Sequence, residues 1–300
     1  MLRTEPFDSV HLISMNGLPK RKDRFTENHI RFQAYGVKVG IEAEKQSHLK
    51  EIYSRLGRVF TGGLKPASES EIEYRFFVKR TRGGVYELYR NDEKTIEESD
   101  KEIFFDSVES QIRVTIAEFA REKVFLHAGV IGWKGRAIII PATSYSGKTT
   151  LVAELAKKGA LYYSDEYAVL DADGNVEPFP KWLSLRGIID DYTQLECSVE
   201  SLGGIAGTET IPVKMILIAR YDKKKKSPQK WRPKRLSGGQ GMMEILPHTL
   251  PIRNKPEFVL KVLNKLVSRA IIVKTVRGEA KEFAETLLNF FEHNTDFNNP

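Results

Sequence analysis

The chain has 300 residues, 41% hydrophobic and 29% charged, with a net charge of +7 and a single cysteine, Cys197. That size suits one large domain or two ordinary ones. One cysteine excludes a disulfide scaffold or a cysteine-based zinc module, and it fits a reducing compartment. No apolar run reaches the ~18 residues a membrane helix needs. Met1-Leu2-Arg3-Thr4-Glu5 has neither the basic start nor the apolar stretch of a signal peptide, so a cytoplasmic protein is expected. The positive charge is local. Eight basic residues and no acid lie between Lys223 and Arg235, and taking those eight away leaves the rest of the chain at −1.

In chain order, 32–41 reads as a strand and 46–56 as a helix. Residues 74–78 and 85–89 read as paired strands around Arg82-Gly83-Gly84. Phe104, Val108, Ile112, Ile116 and Phe119 recur every three or four positions, which predicts a helix over 103–123. The domain boundary is placed at this helix. It gives a smaller α/β domain of unknown role over 1–112 and a second domain over 113–300.

The second domain opens on two buried strands, 124–131 and 136–140. A loop of small residues and an amphipathic helix over 149–158 follow, with Gly159 ending the helix. Strands are expected at 161–163, 167–170, 213–219 and 271–276, with a hairpin turn at Asp173-Gly174. Helices are expected at 242–245, 258–269 and 281–291. This alternation predicts the α/β class.

The segment Ala142-Thr143-Ser144-Tyr145-Ser146-Gly147-Lys148-Thr149 matches the phosphate-loop pattern G-x-x-x-x-G-K-[ST] everywhere except its first position, where alanine replaces glycine. A strand enters it and a helix leaves it, as the chemistry requires. Backbone N–H groups of Ser144, Tyr145, Ser146 and Gly147 and the positive helix end would cradle phosphates. Lys148 would reach the terminal phosphates, Thr149 would ligate Mg²⁺, and Thr150 would support an earlier phosphate.

Seventeen residues beyond Lys148 stands Asp165-Glu166, after Ser164 at the end of a buried strand. Two adjacent carboxylates can hold a nucleotide-bound metal and take a proton from an attacking hydroxyl. His127 lies on the strand before the loop strand; beside Phe125, Leu126 and Ala128 its plain reading is a core histidine.

Taken together, Leu126-His127-Ala128-Gly129-Val130, the run opening at Gly135, Ser146-Gly147-Lys148-Thr149 and Asp165-Glu166 resemble the C-terminal catalytic domain of HPr kinase/phosphorylase. That family shares its P-loop arrangement with the phosphoenolpyruvate carboxykinases. Leu183-Ser184-Leu185-Arg186-Gly187 looks like the family's Leu-Glu-Val-Arg-Gly signature. The similarity covers roughly 122–275 and departs at three places. Glu166 stands for an Asp, Ser184 for a Glu, and Ala142 for a Gly, which fits a divergent branch.

The resemblance implies a P-loop-containing, HPr kinase-like catalytic domain with a mixed sheet. It implies a kinase using ATP and Mg²⁺ to phosphorylate a hydroxyl of a protein, peptide or small metabolite. Asp165 and Glu166 would divide metal binding and acceptor activation, His127 would neighbour the transferred group, and Arg186 would meet its charge. Arg253, in the stretch Pro247–Asn254, faintly resembles the family's acceptor loop and would clamp a phosphate. Family relatives often form rings, so a homo-oligomer is compatible with it.

Two other readings stay open. One is a nucleotide-binding regulatory module with little turnover, suggested by Ser184 and Ala142. The other is a nucleic-acid-associated protein acting through 223–235, with Trp231 stacking on a base, although a solvated loop is that segment's plain reading. Nucleic acid is not the expected partner.

Overall fold

The computed structural model describes residues 29–60, 64–142, 146–186, 194–225 and 231–294. Alternation builds its first sheet. Val37, Val39, Ile41 and Ala43 are buried while Glu42 faces water, the period of a half-buried strand. The single strand expected over 32–41 is instead a hairpin of β1 (His29–Ala34) and β2 (Val37–Ala43). The chain reverses at Tyr35-Gly36, both at positive φ, 49° and 81°. That left-handed pair suits the twist of a two-residue hairpin.

Helix α1 (Gln46–Val59) follows β2. β3 (Lys65–Pro66), β4 (Tyr74–Arg80), β5 (Tyr86–Arg90) and β6 (Glu93–Glu98) complete six strands in the order β3-β1-β2-β4-β5-β6. Helix α2 (Lys101–Phe119) starts at Asp100, whose side chain accepts from the Ile103 N–H, and it buries Phe104, Val108, Ile112 and Ile116. The division placed between 112 and 113 falls inside this helix.

The second sheet has nine strands among the described residues: β7 (Val124–Trp133), β8 (Arg136–Pro141), β9 (Leu161–Ser164), β10 (Tyr167–Leu170), β11 (Asn175–Glu177), β14 (Ile205–Ala206), β15 (Ile211–Tyr221), β16 (Lys234–Arg235) and β17 (Ile271–Arg277). A separate hairpin pairs β12 (Leu183–Arg186) with β13 (Gln194–Cys197). The sheet is mixed. β8, β15 and β17 run parallel, while β7 is antiparallel to β8, β9 and β10.

Helices α3 (Lys148–Lys157) and α6 (Ala280–Asn294) cover one side, with Leu151, Leu155, Phe283, Leu287 and Phe291 buried. Helices α4 (Gly238–Ile245) and α5 (Pro256–Arg269) cover the other through Val259, Val262, Leu263 and Leu266. A third apolar cluster joins the two sheets. Phe125, Tyr167, Val169 and Phe179 pack with residues of β1, β2, α1 and α2. The molecule is therefore α/β with mixed sheets, and no helix among its described residues is long and apolar enough to cross a membrane.

Candidate active site

Two glycines let the loop approach the sheet. Gly147 caps α3 in the left-handed region at φ 75°, and a Cβ there would lie 2.7 Å from Nη2 of Arg277. Gly129, on β7, lies under the first turn of α3. A Cβ at this position would stand 2.6 Å from Cγ2 of Val152 and 3.0 Å from Cγ of Lys148. The Lys148 stem thus runs across the sheet where a side chain is missing.

Lys148 is 7% exposed, and its Nζ has no hydrogen-bond partner among the described residues. Burial lowers its pKa against the pull of Glu166 and Asp165. An ammonium taken out of water without a bound partner costs several kcal/mol, so the site as it stands is short of an anion. The Ser146 hydroxyl is another buried polar atom without a partner among the described residues. Thr149 is half-buried and Thr150 exposed. Ser144 and Tyr145 lie outside the described residues.

The acid pair sits where the strand running against β7 is interrupted. Ser164 pairs with Val130 and Tyr167 with His127, and between them Asp165 and Glu166 leave the ladder. The Ser164 hydroxyl holds the detour by accepting from the N–H groups of Glu166 (3.0 Å) and Tyr167 (2.9 Å).

Asp165 is 3% exposed and accepts from the Tyr162 hydroxyl at 3.1 Å and from the Thr149 hydroxyl. Burial raises its pKa, with Lys181 opposing. Glu166 behaves the other way. Burial pushes it up, but Arg113, Lys148 and His127 together bring it below the ordinary carboxylate range. Arg113 Nη1 donates to Glu166 Oε1 at 2.6 Å and to the Tyr167 hydroxyl at 3.3 Å, while its Nε donates to Glu109 at 2.8 Å.

His127 is half-buried beside Tyr167, ring centroids 6.2 Å apart. Burial, then the Lys148 charge, pushes its pKa down to about 4, so the imidazole is neutral at pH 7. His248, in the 3-10 turn Leu246–His248, acts on His127 and is itself lowered by burial and Lys148. From the stretch proposed as an acceptor loop, it is His248 that comes close to Lys148. Arg253 is exposed and forms no ion pair among the described residues. Arg186 ends β12; its side chain lies outside the described residues. Trp231 does not present its ring for stacking on a base. It packs edge-on against Phe283 (5.1 Å) and Phe290 (4.7 Å), and its N–H donates to Thr275. Residues 226–230 of the basic segment lie outside the described residues.

Four contributors escape the sequence reading: Arg113, Lys181, His248 and Arg277. Arg113 had one visible signal, its i,i+4 spacing from Glu109 inside an otherwise apolar stripe. Lys181 is 7% exposed, lies 3.7 Å from Glu196, and lines a small surface cleft with Arg55, Arg58, Asp106 and Trp182. Among the described residues, no three His, Cys, Asp or Glu side chains converge as a metal cage.

No family model matches the chain, and no curated protein matches it. Among solved structures it is similar to the Hpr(Ser) kinase/phosphatase from Coxiella burnetii, with 12% identity and a TM-score of 0.36, over 56% of this chain and 88% of that one. At that score the likeness decides neither the site nor its chemistry, which rest on the residues themselves.

Proposed function

We propose that this chain is an ATP- and Mg²⁺-dependent phosphotransferase whose acceptor is a hydroxyl of a protein, peptide or small molecule. The observation that carries the reading is Lys148: a buried ammonium with no partner among the described residues, on the first turn of a helix, beside two carboxylates. A phosphate chain supplies the anion this arrangement lacks, and the Ser146 hydroxyl, unpartnered among the described residues, offers it a further donor. The residues fit the metal as well. Thr149, Asp165 and Glu166 would hold Mg²⁺, which keeps most of its ligands from water and phosphate and so needs no protein cage. When bound it would neutralise charge developing on the phosphate oxygens.

The chain's own groups divide the remaining work. Asp165, enclosed, orients the Thr149 hydroxyl. Glu166, kept ionised by Arg113, accepts a hydrogen bond from the incoming hydroxyl. Neutral His127 stands by as a proton acceptor, and Arg186 is a candidate to meet the charge of the transferred group.

The Arg113–Glu166 bond also favours a second reading. A carboxylate locked to a guanidinium is a weak base, which suits a nucleotide-binding regulatory module with little turnover.

Thermal unfolding of wild type and Lys148→Ala, with and without Mg-ATP, tests the site. Ligand at 100 times its Kd stabilises the native state by about 2.7 kcal/mol, several degrees, in wild type alone. Turnover of about 1 s⁻¹ or more then supports the transferase. Binding without turnover supports the module, and no shift in either protein overturns both.

A further inference from the structure

The parallel strands β8, β15 and β17 send their carboxyl ends to one edge of the second sheet, and the loop into α3 leaves the first of them. Ligands of open α/β sheets gather outside such ends. At the other two ends stand Tyr221 and Arg277, paired in register. Arg277 is 3% exposed and has no carboxylate partner among the described residues. Its Nη2 donates to the Gly147 carbonyl at 2.8 Å, and its Nη1 to the Gly278 carbonyl at 2.9 Å. The same guanidinium lies 5.2 Å from the centroid of the Tyr221 ring. At the far rim the Tyr221 hydroxyl donates to Glu279 at 2.6 Å. The ring is therefore held at one face and at its tip, yet it is 38% exposed. A fixed aromatic plane stands one guanidinium away from the loop.

We propose that Tyr221 is the stacking platform for the base of a nucleoside polyphosphate whose phosphates lie on residues 146–149, and that Arg277 is the positioning residue tying platform to loop. The donor is then a nucleotide and not an inorganic polyphosphate. This rests on the phosphate reading of the loop. Aromatic faces bind bases with little regard to sequence, and the guanidinium already on one side of the ring leaves the other for the base.

Calorimetric titration of the full chain with Mg-ATP and with Mg-tripolyphosphate separates the two claims. In Tyr221→Ala, Mg-ATP affinity falls about tenfold or more while Mg-tripolyphosphate binds as in wild type; Tyr221→Phe keeps its ATP affinity within about threefold. Unchanged ATP affinity in Tyr221→Ala overturns the platform. An equal loss of both ligands in that variant also overturns it, because Tyr221 would then be shaping the loop. A wild-type chain that binds neither ligand overturns the phosphate reading itself.

Discussion

In the first sheet, Arg31 and Arg75 meet Glu69, and Lys38 meets Glu71 at 2.5 Å, every pair reached by water. In the second, Lys148, Asp165, Lys181 and Arg277 are each less than a tenth exposed. Surface pairs of the first kind contribute about 0–1 kcal/mol and are easily exchanged. Buried charges of the second kind are costly, and Lys148 persists without a partner among the described residues. The contrast separates charge left in water from charge withdrawn from it. Arg113 stands between the two regions, on the helix that closes the first sheet, with its guanidinium on the acid pair of the second.

The sharpest break in that contrast comes from Lys148→Ala and Asp165→Asn, each expected to lower phosphate transfer by about a hundredfold or more in a radiolabel assay. Next is Arg113→Met. Leaving the half-buried Glu166 without its cation should cost up to about 3 kcal/mol in urea unfolding, and adding Glu166→Gln should recover part of it. If the double variant is no more stable than the single, the ion pair is not what Arg113 provides.

The third prediction concerns pH. His127 titrates near pH 4 in the folded chain against 6.5 when free, so the unfolded chain binds more protons between those values. Stability is therefore lost as pH falls from about 6.5 to 4, by at most about 3 kcal/mol from this group. His127→Gln should flatten that part of the acid limb, leaving what His248 and His48, lowered in the same direction, contribute. An unchanged limb would count against the burial argument. The smallest effect is the control: Lys38→Ala should change stability by less than about 1 kcal/mol and leave transfer untouched.

The strands and helices around the loop were legible because their periods are long and clean: Phe104 to Phe119 on α2, and the apolar run of β7 into β8. The reversal at Tyr35-Gly36 was not, since a tyrosine at positive φ carries no turn signature. Strands as short as β3, β11 and β14 hold too few residues for any alternation to register. For the site, the Gly-Lys-Thr spacing and the acid pair were readable because local geometry demands those residues in that order. Arg113, Lys181 and Arg277 come from distant stretches of chain, and only the folded sheet brings them in. The packing of Trp231 was hidden for the same reason, because its partners Phe283 and Phe290 lie far along the sequence.

Helix α2 has a mechanical consequence. Its stripe is clamped in the apolar cluster shared by both sheets, while its arginine grips Glu166 through one bond. The helix that closes the six-stranded sheet thus also sets where the cation of Glu166 stands, so the core of that sheet and the geometry of the acid pair share one element.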